Sequence, residues 1–164
     1  MLQGNSRSLA NGSDVGKLRT MLIPQQELEV LYGRALERMF GEPPAIRRSS
    51  HFDWTHLDFM VDRKCWTVSF HALHYPNMLS VSLARELAEE YADSPRLLRK
   101  LNELNTRFIG VKFTAIGEGP VRLVARCSSV LAAGRCLPHS ELVPQAINES
   151  MEQIEKALGE FNLR

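Results

Sequence analysis

The sequence predicts an α+β fold, with one antiparallel sheet and helices packed on it. Three observations predict this class. Apolar residues recur at helical spacing in three separated stretches, alternate with polar residues in the stretches between, and are interrupted by turn residues wherever the period changes. The predicted order is α-β-β-β-α-β-β-α. At 164 residues the chain is about the size of one domain. That length can bury on the order of two-thirds of the surface the unfolded chain exposes.

Residues 1–22 are rich in Gly, Ser and Asn and poor in apolar side chains, so they are expected to form a flexible N-terminal tail, with Met21 as an alternative start. Residues 23–164 are expected to form a single domain. The first helix opens at Pro24 and aligns Leu28, Leu31, Tyr32, Ala35, Leu36, Met39 and Phe40 on one stripe. Gly41 supplies a left-handed stop, and Pro43-Pro44 prevents continuation.

From Ala45 to about Arg85 the period becomes two. Leu57, Phe59 and Val61 form one strand, Asp62-Arg63 a turn, and Trp66, Val68 and Phe70 the inward face of a second strand. His74-Tyr75-Pro76-Asn77 reads as a break, and Leu79, Val81 and Leu83 as a third strand. The run Leu83–Tyr91 fits strand in its first half, and a helical turn or irregular link in its second.

Ser94 and Pro95 cap a second helix that places Leu97, Leu101, Leu104 and Phe108 on one face. Two strands, Val111–Ile116 and Val121–Cys127, flank the turn Gly117-Glu118-Gly119-Pro120. A last helix begins near Ser140, with Pro144 in its first turn, and buries Val143, Ile147, Met151, Ile154, Leu158 and Phe161. Its exposed face is acidic, since residues 136–164 hold five carboxylates against two cations.

Charge excludes some function classes. The chain has 20 basic and 19 acidic residues, a net +1, which is too little field for a nucleic-acid binder that relies on basic charge. No stretch approaches the ~18 apolar residues of a membrane span. The first twenty residues hold no apolar region of secretion-signal length. The expected location is therefore cytoplasmic, without membrane or nucleic-acid partners. Cys65, Cys127 and Cys136 are odd in number and form no CxxC pair, so they are expected to be free and mostly structural thiols.

Candidates for chemistry concentrate in the first half. His71 and His74 offer two imidazoles, but Cys65 lies six residues from His71, about 20 Å along a strand at ~3.3 Å per residue. That span rules out a shared tetrahedral site, so both histidines are expected at a solvated strand end. His51 and His56, with Asp53 and Asp58, carry the residue types of acid–base catalysis. Alternate polar residues on a half-exposed strand are the expected explanation for them. No nucleophile elbow, P-loop or dinucleotide fingerprint occurs. Arg47-Arg48 and Arg63-Lys64 read as solvated basic pairs, Trp66 as a core anchor, and Trp54 as an exposed interface aromatic. No catalytic, cofactor-binding or metal-ligating residue is assigned.

The run Leu101-Asn102-Glu103-Leu104-Asn105, followed by Val111-Lys112-Phe113, the Gly117-Glu118-Gly119 hairpin and a helix after Leu137-Pro138, resembles the YbjN-like family of proposed bacterial sensory transduction regulators. The resemblance extends from about Pro24 to Phe161. It implies a fold similar to the type III secretion chaperones, which are homodimers that hold an extended partner segment. The implied function is non-enzymatic: a binding or regulatory module that recognises a partner polypeptide or itself, with no cofactor. The alternative is a small metal- or ligand-dependent enzyme using the histidine-rich first sheet, His51, His56, His71 and His74.

Overall fold

The computed structural model describes residues 24–49, 54–72, 75–88, 94–117, 120–132 and 136–161. The expected N-terminal tail, and His51, Asp53 and His74, lie outside them. The elements are α1 (Gln25–Phe40), β1 (Ala45–Arg48), β2 (Thr55–Val61), β3 (Lys64–His71), β4 (Tyr75–Glu86), α2 (Pro95–Arg107), β5 (Val111–Ile116), β6 (Arg122–Val130) and α3 (Leu142–Gly159). The α+β class and its antiparallel sheet are as the sequence predicts, with one strand more. The sheet has six strands in the order β1-β2-β3-β4-β6-β5, and every neighbouring pair is antiparallel.

Local chemistry accounts for the element ends. Gly41 closes α1 at φ 85°, a left-handed conformation that costs glycine no Cβ clash, and its N–H donates to the Glu37 carbonyl. Asp62 and Arg63, both at positive φ, make the two-residue turn between β2 and β3. The Ser94 side chain accepts from the Arg96 N–H at the start of α2.

Residues directly opposite in an antiparallel ladder share a face. Two rows on the helix-covered face are therefore continuous across the sheet: Leu57–Val68–Val81–Cys127–Val111 and Phe59–Trp66–Leu83–Ala125–Phe113. All ten side chains are buried. Against them α1 packs on β2 and α3, α3 on β4 and β6, and α2 on β5. Leu28, Leu36, Leu104, Ile147 and Ile154 supply the helical half of the core.

Three expectations need revision. β1 was hidden because Ala45-Ile46-Arg47-Arg48 carries one large apolar residue and all four positions are exposed. β4 starts at Tyr75, through the expected break, and runs to Glu86, which places the first half of Leu83–Tyr91 in strand. Cys127 is buried as expected, whereas Cys65 and Cys136 are exposed free thiols.

The core contains one uncompensated polar atom among the described residues, the Tyr32 hydroxyl. The ring is fully buried, edge-on to Phe70 at 4.9 Å between centroids, and burial raises the phenol pKa well above its ordinary value. An orphaned buried hydroxyl costs roughly 1–3 kcal/mol in desolvation. Tyr32→Phe is therefore expected to stabilise the fold by about 1 kcal/mol. A urea midpoint that falls instead would contradict this.

Candidate interaction surfaces

The sheet face opposite the helices is polar. One row runs Arg47–His56–Ser69–Ser80–Ser128, and the next Ala45–Asp58–Thr67–Ser82–Arg126–Lys112. Strand alternation brings His56 and Asp58 to this face together, as expected, but they do not form an acid–base pair. The Asp58 carboxylate is held by both the Nε and Nη2 groups of Arg47 and accepts from Thr67 Oγ1 at 2.6 Å. His56 Nδ1 lies 2.8 Å from Ser69 Oγ, so a hydroxyl rather than a carboxylate orients the imidazole. Burial, then the Arg47 charge, holds the His56 pKa below its ordinary value, and Asp58 opposes this less strongly. His56 is thus a neutral imidazole at pH 7.

The Arg47 hydrogen bond also lowers the Asp58 pKa, with help from Thr67 and against a smaller effect of burial. A carboxyl whose folded pKa is depressed contributes stability above its unfolded value near 4 and loses it as pH falls through the folded value. Asp58→Asn is expected to flatten the acid limb of a stability-versus-pH curve, while leaving the limb above pH 7 parallel to the parent. An unchanged acid limb would contradict the pairing.

The other expected site residues are dispersed. His71 is buried rather than solvated, with Trp54 edge-on to its ring at 5.4 Å. Trp54 is half-buried in that contact, not an exposed anchor. Arg47 and Arg48 are tied to Asp58 and Glu29, and Lys64 to Glu155. Among the described residues, no three His, Cys, Asp or Glu side chains could hold a metal ion together. No described helix is long and apolar enough to cross a membrane.

The two sheet edges differ. At the β5 edge, the Asn105 side chain from the last turn of α2 donates from Nδ2 to the Phe113 carbonyl at 3.0 Å and accepts from the Phe113 N–H at 2.7 Å. One amide thus satisfies both outward backbone groups of Phe113, as a neighbouring strand would. This edge clamp gives Asn105, within the run that carries the family resemblance, a physical role not legible in its spacing. The β1 edge carries no comparable side-chain clamp among the described contacts.

A groove of about 560 Å³ lies between α1 and the residues leading into α3. Leu31, Ala35 and Pro144 line it, with Val30 and Leu137 half-exposed and Arg34, Arg38 and Glu27 at its sides. Its size is that of a site for a small molecule or a peptide side-chain cluster. A second cavity of about 500 Å³ lies between β3, β4 and the end of α3, with Arg63, Arg85 and the Lys64–Glu155 pair in its wall.

The architecture has counterparts among solved structures. YbjN from E. coli, described as a proposed transcription regulator, superimposes at a TM-score of 0.55 over 84% of this chain and 90% of its own. The chain has a YbjN-like fold. An uncharacterised protein from Methanothermobacter thermautotrophicus matches at a TM-score of 0.51, over 82% of this chain and 94% of that one. Sequence identities are 15% and 12%, so the YbjN likeness is one of fold. No family model and no curated protein matches the sequence.

Proposed function

We propose that this chain is a non-enzymatic binding module that recognises a partner polypeptide in the groove beside α1. The observation that carries the reading is the groove's composition. An apolar floor with two half-exposed aliphatic side chains, Val30 and Leu137, is flanked by two guanidinium groups one helical turn apart, Arg34 and Arg38. This combination suits a short segment with apolar anchors next to carboxylates. The YbjN-like fold is consistent with a regulatory role, because the E. coli protein is described as a proposed transcription regulator. The histidine-based enzymatic alternative finds no support at His56, whose orienting partner is a serine and whose neighbouring carboxylate is committed to Arg47.

Selection of peptides from a displayed random library tests this reading on the full chain. Selected peptides are expected to share aliphatic or aromatic anchors next to Asp or Glu. Val30→Asp or Leu137→Asp, each at an exposed position, is expected to weaken their binding by about tenfold or more, or ~1.4 kcal/mol. Peptides lacking that pattern, or binding both variants unchanged, would overturn the assignment.

A further inference from the structure

The cavity of about 500 Å³ opens where two central strands part. The β3–β4 ladder is last paired at Trp66↔Leu83, yet β3 reaches back to Lys64 and β4 runs on to Glu86. In the same register Lys64 would face Arg85 on the helix-covered side, and like charges directly opposite are destabilising. The residues beyond the last pair line the cavity instead, and the end of α3 borders it with Glu155 and Leu158.

Charge in this wall is unbalanced. Arg63, Lys64 and Arg85 stand against one carboxylate, Glu155, and that carboxylate pairs with Lys64. Arg63 and Arg85 have no ion-pair partner among the described residues. The nearby carboxylates do not supply one: Glu160 is held by Arg107, and Asp62 and Glu86 do not line the cavity. The C-terminal carbonyls of α3 would repel an anion, but those of Ala157 and Leu158 already accept from the Glu160 and Phe161 N–H groups. Arg63 also sits at φ 63°, at the second position of the β2–β3 turn, where glycine is the usual residue. A bulky side chain is strained there. Arg63 is exposed, so packing does not account for it and its charge is what it contributes.

We infer that this cavity binds a small organic phosphate, with the phosphate held by Arg63 and Arg85 and a short apolar body against Leu83 and Leu158. Guanidinium groups match phosphate oxygens in paired hydrogen bonds. Two unpaired cations balance the two charges of a phosphate monoester. Leu83 is buried and Leu158 partly buried, so the remaining wall is apolar. A monoester carries both charges on one group and leaves the rest of the molecule free to be apolar, whereas a dicarboxylate would bring a second anionic end against the leucines. The volume is that of a small-molecule site.

The inference goes beyond the groove reading and does not rest on it, because the cavity and the groove beside α1 share no lining residue. Peptide binding without phosphate binding would count against the cavity alone, and the reverse result against the groove alone.

Cys65 lines the cavity as an exposed free thiol and reports on its occupancy. The full chain carrying Cys136→Ser keeps Cys65 for alkylation by iodoacetamide, since Cys127 is buried. Phenyl phosphate is expected to slow alkylation of Cys65 saturably, with phenol, inorganic phosphate and succinate each needing a concentration about tenfold higher or more. Arg85→Met, and Arg63→Asn, which suits a positive φ, are each expected to raise the half-protecting concentration about tenfold, the value of one hydrogen bond to a charged group. Glu155→Gln is expected to lower it, because Lys64 is released to the ligand, and a damaged fold would not produce a gain. Absence of saturable protection, equal protection by phenol, inorganic phosphate or succinate, or protection unchanged in all three variants would overturn the inference.

Discussion

Trp66→Ala is expected to lower the stability of the fold by about 3–5 kcal/mol, the range for deleting a large aromatic from a closed core. Trp66 is 1% exposed and sits in the second strand of the row Phe59–Trp66–Leu83–Ala125–Phe113, between side chains that are themselves buried. The vacated space is bounded by sheet backbone on one side and by the helices on the other, so neighbours cannot close it without breaking ladder bonds. Domains of this kind have ~5–15 kcal/mol in total, so the loss is a large share. Urea unfolding measures it, with Met60→Ala as the control. Met60 lies on the other face of the adjacent strand at 58% exposure, and its truncation is expected to cost under ~0.5 kcal/mol. A Trp66→Ala loss no larger than that control would contradict the assignment of the core face.

Asn105→Ala is expected to cost roughly 1–3 kcal/mol and to make the protein prone to association on warming. Two hydrogen bonds disappear, each with a net value of ~0.5–1.5 kcal/mol, and the N–H and C=O of Phe113 are left at an open strand edge. Asn105→Asp keeps an acceptor for the Phe113 N–H but presents a carboxylate to the Phe113 carbonyl, so it is not a rescue. Asn105→Gln carries the right groups on a longer stem and recovers part of the loss at most. Chemical denaturation reports the stability term and turbidity on heating reports the edge. An Asn105→Ala variant with parental stability and no added turbidity would show that the clamp is incidental.

The helices were legible because each carries an apolar stripe, and α1 and α2 carry end signals as well. Pro24 and Gly41 bracket α1, Ser94-Pro95 opens α2, and the spacing of Val143, Ile147 and Ile154 is that of a buried helical face in α3. The central strands were legible because one face of each is buried, which forces alternation on the sequence. Edge and boundary features were not legible. β1 has one large apolar side chain, and its pairing to β2 depends on backbone groups that every residue has. Tyr75-Pro76 reads as a break, yet it opens β4, where the register against β3 is already irregular at Ser69/His71.

The candidate surfaces divide in the same way. Strand periodicity placed His56 and Asp58 on one face, but pairing across strands decides their chemistry. Arg47 comes from β1 and Ser69 from β3, and no local spacing indicates either contact. Asn105 was visible only as part of a leucine–asparagine run, because its partner Phe113 lies across the α2–β5 connection. The groove beside α1 depends on Leu137 and Pro144 arriving from the far end of the chain, more than a hundred residues after Val30.

The measurement that bears most directly on the binding-module account is amide hydrogen exchange of the full chain, with and without a display-selected peptide. The account predicts added protection confined to α1 around Val30–Arg38 and to residues 137–144, with the polar sheet face around His56 unchanged. Protection centred on β2 and β3 around His56 and Ser69, with none along α1, would contradict it and direct attention to the polar face of the sheet instead.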